Sequence, residues 1–150
     1  MTDSESVIWC EGEDAEMIAA IREAQSTFPE FLKALELDTH RTLPVIEATI
    51  IKAFFPKTDD PKKGEHMFVT DLIVTKDGMR GLLSNEPLVV DYVKEGDTVV
   101  IPASRVSDWI YVISGKGRGG FTLRVIAQQM SSEDFQEAAK EPPFLWFKED

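Results

Sequence analysis

Glu65 and His66 are neighbours of a kind that could move a proton. Imidazole titrates near neutrality, and a carboxylate close by is a common ingredient of general acid–base catalysis. On a strand, however, adjacent side chains point to opposite faces, so these two do not converge on one substrate atom. If His66 acts, its partner must come from elsewhere, with Asp71 and Asp108 as the candidates. The plainer reading is a histidine ring held by a structural hydrogen bond.

A second group lies at Ser107-Asp108-Trp109, followed by Tyr111. A short carboxylate just before a strand can accept backbone N–H bonds and fix a turn. The indole of Trp109 can plug the end of a partly closed barrel with its N–H satisfied at the rim. The functional alternative is that Asp108, Trp109 and Tyr111 edge a concave site with Asn85 and His66. Strand alternation puts Trp109 and Tyr111 on the same face, so that pair is geometrically allowed. Asn85-Glu86-Pro87 has its own plain reading, an Asx-type turn that ends a strand, with Pro87 enforcing extended geometry. The candidate ligand or partner surface is therefore His66, Asp71, Asn85, Asp108, Trp109 and Tyr111.

Gly115, Gly117 and Gly120 formally satisfy G-x-G-x-x-G. A dinucleotide fingerprint needs a strand before it and a helix after it. Phe121 to Val125 reads as a strand, so the glycines are expected to form a hairpin loop, with Lys116 and Arg118 solvated at its tip. No serine sits in a G-x-S-x-G elbow. Cys10 lies beside Trp9 in an apolar run, which would raise its pKa and blunt its reactivity. His40, His66 and Cys10 lack metal-ligand spacing, and Lys57 to Gly64 lacks the alternating acids of a calcium loop. No catalytic residue, metal or cofactor is assigned.

The elements that must position these residues are legible from periodicity. Val7 to Cys10 is a short apolar run, expected as an edge strand. Residues 14–36 carry a helical stripe of Ile18, Ile21, Phe28, Phe31, Leu32 and Leu35. Pro29 interrupts it, and Ser26 and Thr27 are cap-type residues, so the helix is expected to be kinked or split there. Strands are expected at 45–55, 65–75, 79–84 and 98–101, with Asp77-Gly78 as a hairpin signal. Residues 109–114 and 121–127 are expected as a last pair. Ser131 to Asp134 reads as the capped start of a short helix. The apolar tail Phe144-Leu145-Trp146-Phe147 is expected to dock on its own sheet or to insert into a partner. The fold class is α+β: an N-terminal helix packed on a twisted antiparallel sheet, open or partly closed, with a short C-terminal helix.

The chain has 150 residues, the usual size of one domain, and a net charge of −11. Residues 1–38 balance to −8 and residues 131–150 to −4, while residues 39–130 balance to +1. Such acidic ends repel nucleic acid and anionic membrane and would suit a basic protein. No apolar run approaches the roughly 18 residues of a membrane span. The acidic N-terminus lacks the features of a signal peptide, and the single cysteine allows no internal disulfide, so the expected location is cytoplasmic.

Five motifs occur in order: Glu65-His66-Met67-Phe68-Val69, Gly81 to Pro87, Gly96-Asp97-Thr98-Val99, Ser107-Asp108-Trp109-Ile110-Tyr111 and Gly119-Gly120-Phe121-Thr122. Together they resemble the bacterial YegJ-like family, domain of unknown function 2314 (DUF2314). The resemblance runs from about residue 15 to 126, with residues 131–150 as an acidic, aromatic extension within a single 1–150 domain. The family pattern usually has Trp where Phe68 stands. The resemblance implies a fold and brings no activity. The residues themselves point to a non-catalytic binding or interaction protein, one concrete version being an immunity-like role toward a basic protein. The alternatives are an enzyme or ligand binder using His66, Asp108 and Tyr111, and a homodimer formed through the tail or the Val7–Cys10 edge.

Overall fold

A computed structural model describes residues 15–76 and 78–148. The expected strand at Val7–Cys10 lies outside the described residues, as does Asp77 of the hairpin signal. Helix α1 (Ala15–Thr39) opens the described chain. It runs unbroken through Pro29, so the two-helix alternative does not form. Pro29 is exposed, and its missing N–H deprives only the Gln25 carbonyl of a helical donor. The buried stripe of Ala20, Ile21, Ala24, Phe28, Phe31 and Leu35 spans both sides of Pro29 and packs as one surface. Ser26 and Thr27 do not cap a second helix. Their hydroxyls donate back to the Glu23 carbonyl, at 3.0 and 2.7 Å.

Six antiparallel strands follow: β1 (Ala48–Pro56), β2 (Gly64–Thr75), β3 (Gly78–Leu83), β4 (Thr98–Ile101), β5 (Val106–Ile113) and β6 (Lys116–Gly119). Their order in the sheet is β4-β3-β2-β1-β5-β6, an open sheet with β4 and β6 at its edges. Alternation gives the sheet two unequal faces. One face carries Ile51, Ala53, Phe55, Met67, Val69 and Trp109 and packs under α1 as the main core. The other carries Ile110 and Val112 and is covered by residues from the C-terminal part of the chain.

The sheet has two irregularities that matter for the candidate site. Between β1 and β5 the register shifts at Lys52/Ala53: Lys52 pairs with Asp108 and Ala53 with Val106, leaving Ser107 as an extra residue. In β2 the register shifts between Thr70 and Ile73, and Asp71 takes a left-handed φ of 53°.

The last stretch differs from its expected form. The β5–β6 hairpin turns at Ser114-Gly115, whose φ values of 52° and 75° are those of a tight two-residue turn. Gly117 and Gly119 lie within β6, and residues 121–129 form helix α2 (Phe121–Gln129) rather than a strand. β-Branched and aromatic residues suggested a strand there, but Leu123 and Ile126 face the sheet with helical spacing. Helix α3 (Ser132–Ala138) starts as expected, with Ser131 Oγ accepting the Asp134 N–H at 3.0 Å. The tail forms a 3-10 turn (Phe144–Phe147) that docks on its own chain. Phe147 lies against Gly117 and Gly120, with the Arg124 guanidinium 4.6 Å from its ring centre.

Candidate functional site

The structure divides the six candidate residues instead of gathering them. Trp109 and Tyr111 share a face, as alternation required, and that face is the one under α1. Their rings stack at 6.0 Å, and Trp109 also stacks on Phe31 at 5.4 Å. The indole N–H donates into α1, to the Ala24 carbonyl and the Thr27 hydroxyl, both at 3.1 Å. Asp108, one residue earlier, points to the opposite face. Asn85 closes β3 onto β2 by accepting the Phe68 N–H at 2.6 Å. Asp71 is an exposed residue at the β2 bulge. Grooves of about 630, 460 and 370 Å³ indent the surface, and none of the six lines any of them.

Asp108 is 1% exposed and sits at the N-terminus of α2. One carboxylate oxygen accepts the N–H groups of Trp109 and Phe121, at 2.9 and 3.0 Å. The other accepts the Thr122 N–H at 2.8 Å and the Thr122 hydroxyl at 2.6 Å. Lys52 donates to that same hydroxyl at 3.2 Å. Burial raises the Asp108 carboxyl above the ordinary aspartate range; the bonds from Thr122 and Trp109 and the charge of Lys52 oppose it. A helix does follow the glycines, but a dinucleotide fingerprint needs a parallel strand–turn–helix unit, and Gly117 lies inside antiparallel β6. Here the N–H groups at the start of the helix, which would face a phosphate, are taken by the chain's own carboxylate.

His66 lies on the same face as Lys52 and Phe54, its cross-strand neighbour, and its Nδ1 is 2.9 Å from Ser107 Oγ. A hydroxyl within hydrogen-bond reach of an imidazole is the geometry of an activated nucleophile. Ser107 is 0% exposed, though, and its hydroxyl also reaches the Lys52 carbonyl at 3.2 Å. As folded, the pair stabilises the β1–β5 bulge. Lys52 and Thr122 belong to this polar cluster and were not singled out from the sequence. A lone lysine amid Ile50, Ile51, Ala53 and Phe54 was the readable signal, since a cation on a half-buried strand calls for an acidic partner.

Glu65 points away from His66 and organises a loop. Its carboxylate accepts the N–H groups of Leu88 (3.1 Å), Val89 (2.7 Å) and Val90 (2.9 Å). Burial alone would raise its pKa; the bonds from Val90, Leu88 and Val89 outweigh that and hold the carboxyl below its ordinary value. A lowered pKa adds stability that is full above the unfolded value of about 4.3 and is lost as pH falls through the folded one. Glu65→Gln is expected to cost roughly 1–2 kcal/mol at neutral pH. It should also flatten the loss of stability below about pH 4.3, read by urea melts at several pH values.

Among the described residues no group of three or more His, Cys, Asp or Glu side chains is arranged to hold a metal, and no helix is long and apolar enough to cross a membrane. A family model described as an uncharacterized protein conserved in bacteria (DUF2314) matches residues 14–142. The chain belongs to the DUF2314 family. The match extends past α3, so the helix capped by Asp108 lies inside it. The chain is 30% identical over 132 residues to a protein of Neisseria meningitidis serogroup B provisionally named an ankyrin repeat protein. That alignment covers 87% of this chain and 52% of the relative, so the chain spans about half the length of that protein. It is 28% identical over 121 residues to the uncharacterized protein YegJ of Escherichia coli K12, covering 81% of this chain and 73% of YegJ. No solved structure matches.

Proposed function

We propose that this DUF2314 chain is a non-catalytic interaction module for a basic protein partner. The observation that carries the reading is the loop between β3 and β4. Glu65 gathers its backbone, and the Tyr92 hydroxyl donates to the Pro56 carbonyl at 2.8 Å. Burial raises that hydroxyl's pKa above its ordinary value. The loop so fixed presents Leu88 at 89% exposure, beside the half-exposed Val89 and Tyr92. Between Asn85 and Asp97 it carries four acids, Glu86, Asp91, Glu95 and Asp97, against the single base Lys94. An apolar residue held in water on a loop with an excess of acids suits a partner with an apolar socket and a basic rim.

Polar atoms that could serve a reaction are engaged with the chain's own backbone at Asp108, Asn85, Glu65 and Trp109. The ligand-pocket alternative has against it that Tyr111 and Asp108 lie on opposite faces. The name of the Neisseria relative favours protein contact as well, because ankyrin repeats stack into extended binding surfaces.

Leu88→Asp separates binding from folding. Stability should stay within about 0.5 kcal/mol, because the side chain is in solvent. Affinity for the partner should fall roughly 10-fold or more, the worth of burying one leucine. Affinity purification of tagged wild type and Leu88→Asp from the native bacterium at low salt reads the difference. Recovery of no stoichiometric basic protein with wild type, or equal recovery with both, would overturn the proposal.

A further inference from the structure

We infer that β4 is a self-pairing edge, through which two copies of this chain join their sheets antiparallel. The two edges of the sheet are built differently. β6 carries Lys116 and Arg118, charges that guard an edge against pairing, while Phe147 packs on its face at Gly117. β4 reads Thr98-Val99-Val100-Ile101, with no charge and no proline, and Val100 is 55% exposed.

The direction of its backbone groups follows from the register. The Leu83 N–H donates to the Asp97 carbonyl at 2.9 Å, so residue 97 faces β3. Backbone groups alternate in direction along an antiparallel strand, so Val99 and Ile101 also face β3, opposite Gly81 and Met79. Thr98 and Val100 therefore turn their N–H and C=O groups outward.

One symmetric register satisfies them all. With Val99 of each copy on the two-fold axis, Thr98 of one lies opposite Val100 of the other, twice. Centring the pair on Thr98 instead would set Val100 against Gly96, whose N–H already bonds the Leu83 carbonyl at 2.8 Å. Centring it on Val100 would set Thr98 against Pro102, which has no N–H. The central register also matches charge to charge. It sets the Glu95–Asp97 end of one copy near the other copy's Pro102, after which a 3-10 turn (Ala103–Arg105) carries the base Arg105. Arg105 makes no salt bridge among the described residues. The contact is isologous and closes on itself.

Val100→Pro in the full chain tests this, because the N–H it removes faces away from β3 and serves no bond among the described residues, and an edge strand tolerates proline there. Sedimentation velocity over a concentration series, in about 150 mM salt to screen the overall negative charge, is expected to show a reversible wild-type dimer. Val100→Pro should remain folded by circular dichroism and lose at least 10-fold in association constant. Val100→Lys retains the N–H and reads the same edge should the proline variant misfold; it too should weaken the dimer. Leu88→Asp should leave the dimer intact, so failure here is distinct from failure of the partner-binding proposal. A wild type that stays monomeric to about 1 mM, or a folded Val100 variant that dimerises as tightly as wild type, would overturn the inference.

Discussion

Trp109→Ala is expected to destabilise the fold by about 4–5 kcal/mol, at the upper end for an aromatic residue removed from a core. The indole is 5% exposed and has aromatic neighbours on three sides. Phe31 comes from α1 at 5.4 Å, Tyr111 from its own strand at 6.0 Å, and the edge of Phe121 from the start of α2 at 5.5 Å. Its N–H enters α1 at Ala24, one turn before Pro29. One side chain thus joins α1, β5 and α2, and the cavity left by alanine cannot collapse without moving all three. The backbone already fits the ring closely. Gly119 has a φ of 82°, and a Cβ there would run into the Trp109 carbonyl and ring. Trp109→Phe keeps most of the stacking and loses the indole bond, so it should cost roughly half as much. Urea melts should show the alanine midpoint falling by about 2 M with the slope unchanged. An alanine variant within about 1 kcal/mol of wild type would remove Trp109 from its central place in the core. Because the ring is covered, Trp109→Phe should leave partner binding at its wild-type level. A residue lining a site would not behave so.

The parts of this fold that were readable are those decided by local pattern. The stripe from Ile21 to Leu35 announced the long helix, and its burial explains why Pro29 does not divide it. Strand alternation separated Glu65 from His66 and put Trp109 with Tyr111. The same rule sets Asp108 opposite Trp109, and so divides the corner that the sequence presents as one unit. What local pattern could not show is α2. Phe121, Thr122 and Val125 favour extended chain, and the helix is fixed by a carboxylate 13 and 14 residues earlier, at Asp108. The loop bearing Leu88 was hidden for a similar reason. Its form depends on Glu65, 23 residues away, and the intervening residues give no sign of the contact.

Asp108→Ala is expected to cost roughly 3–5 kcal/mol, because it strands the N–H groups of Phe121 and Thr122 and removes a negative charge near Lys52. The loss should be local at first. Amide exchange at Phe121 to Arg124 should accelerate before that of the β1–β2 pair, since the start of α2 loses its cap. Asp108→Asn keeps the shape and one acceptor, but turns an NH₂ group toward donors now met by a carboxylate oxygen. It should cost about 2–3 kcal/mol. The pH dependence gives an independent reading. With its pKa raised on folding, Asp108 makes the native state bind more protons than the unfolded state. Its contribution to stability therefore declines as pH rises from the unfolded value of about 3.9 through the folded one, the opposite sign to Glu65. Asp108→Asn should remove that decline and leave the acid-side loss due to Glu65 in place. Lys52 tests the cluster as a unit. Its ammonium and the carboxylate share the Thr122 hydroxyl, so Lys52→Met and Asp108→Asn should combine to cost at least about 1 kcal/mol less than the sum of the two. Strict additivity would mean that the lysine and the aspartate act separately, and that the cap on α2 rests on the carboxylate alone.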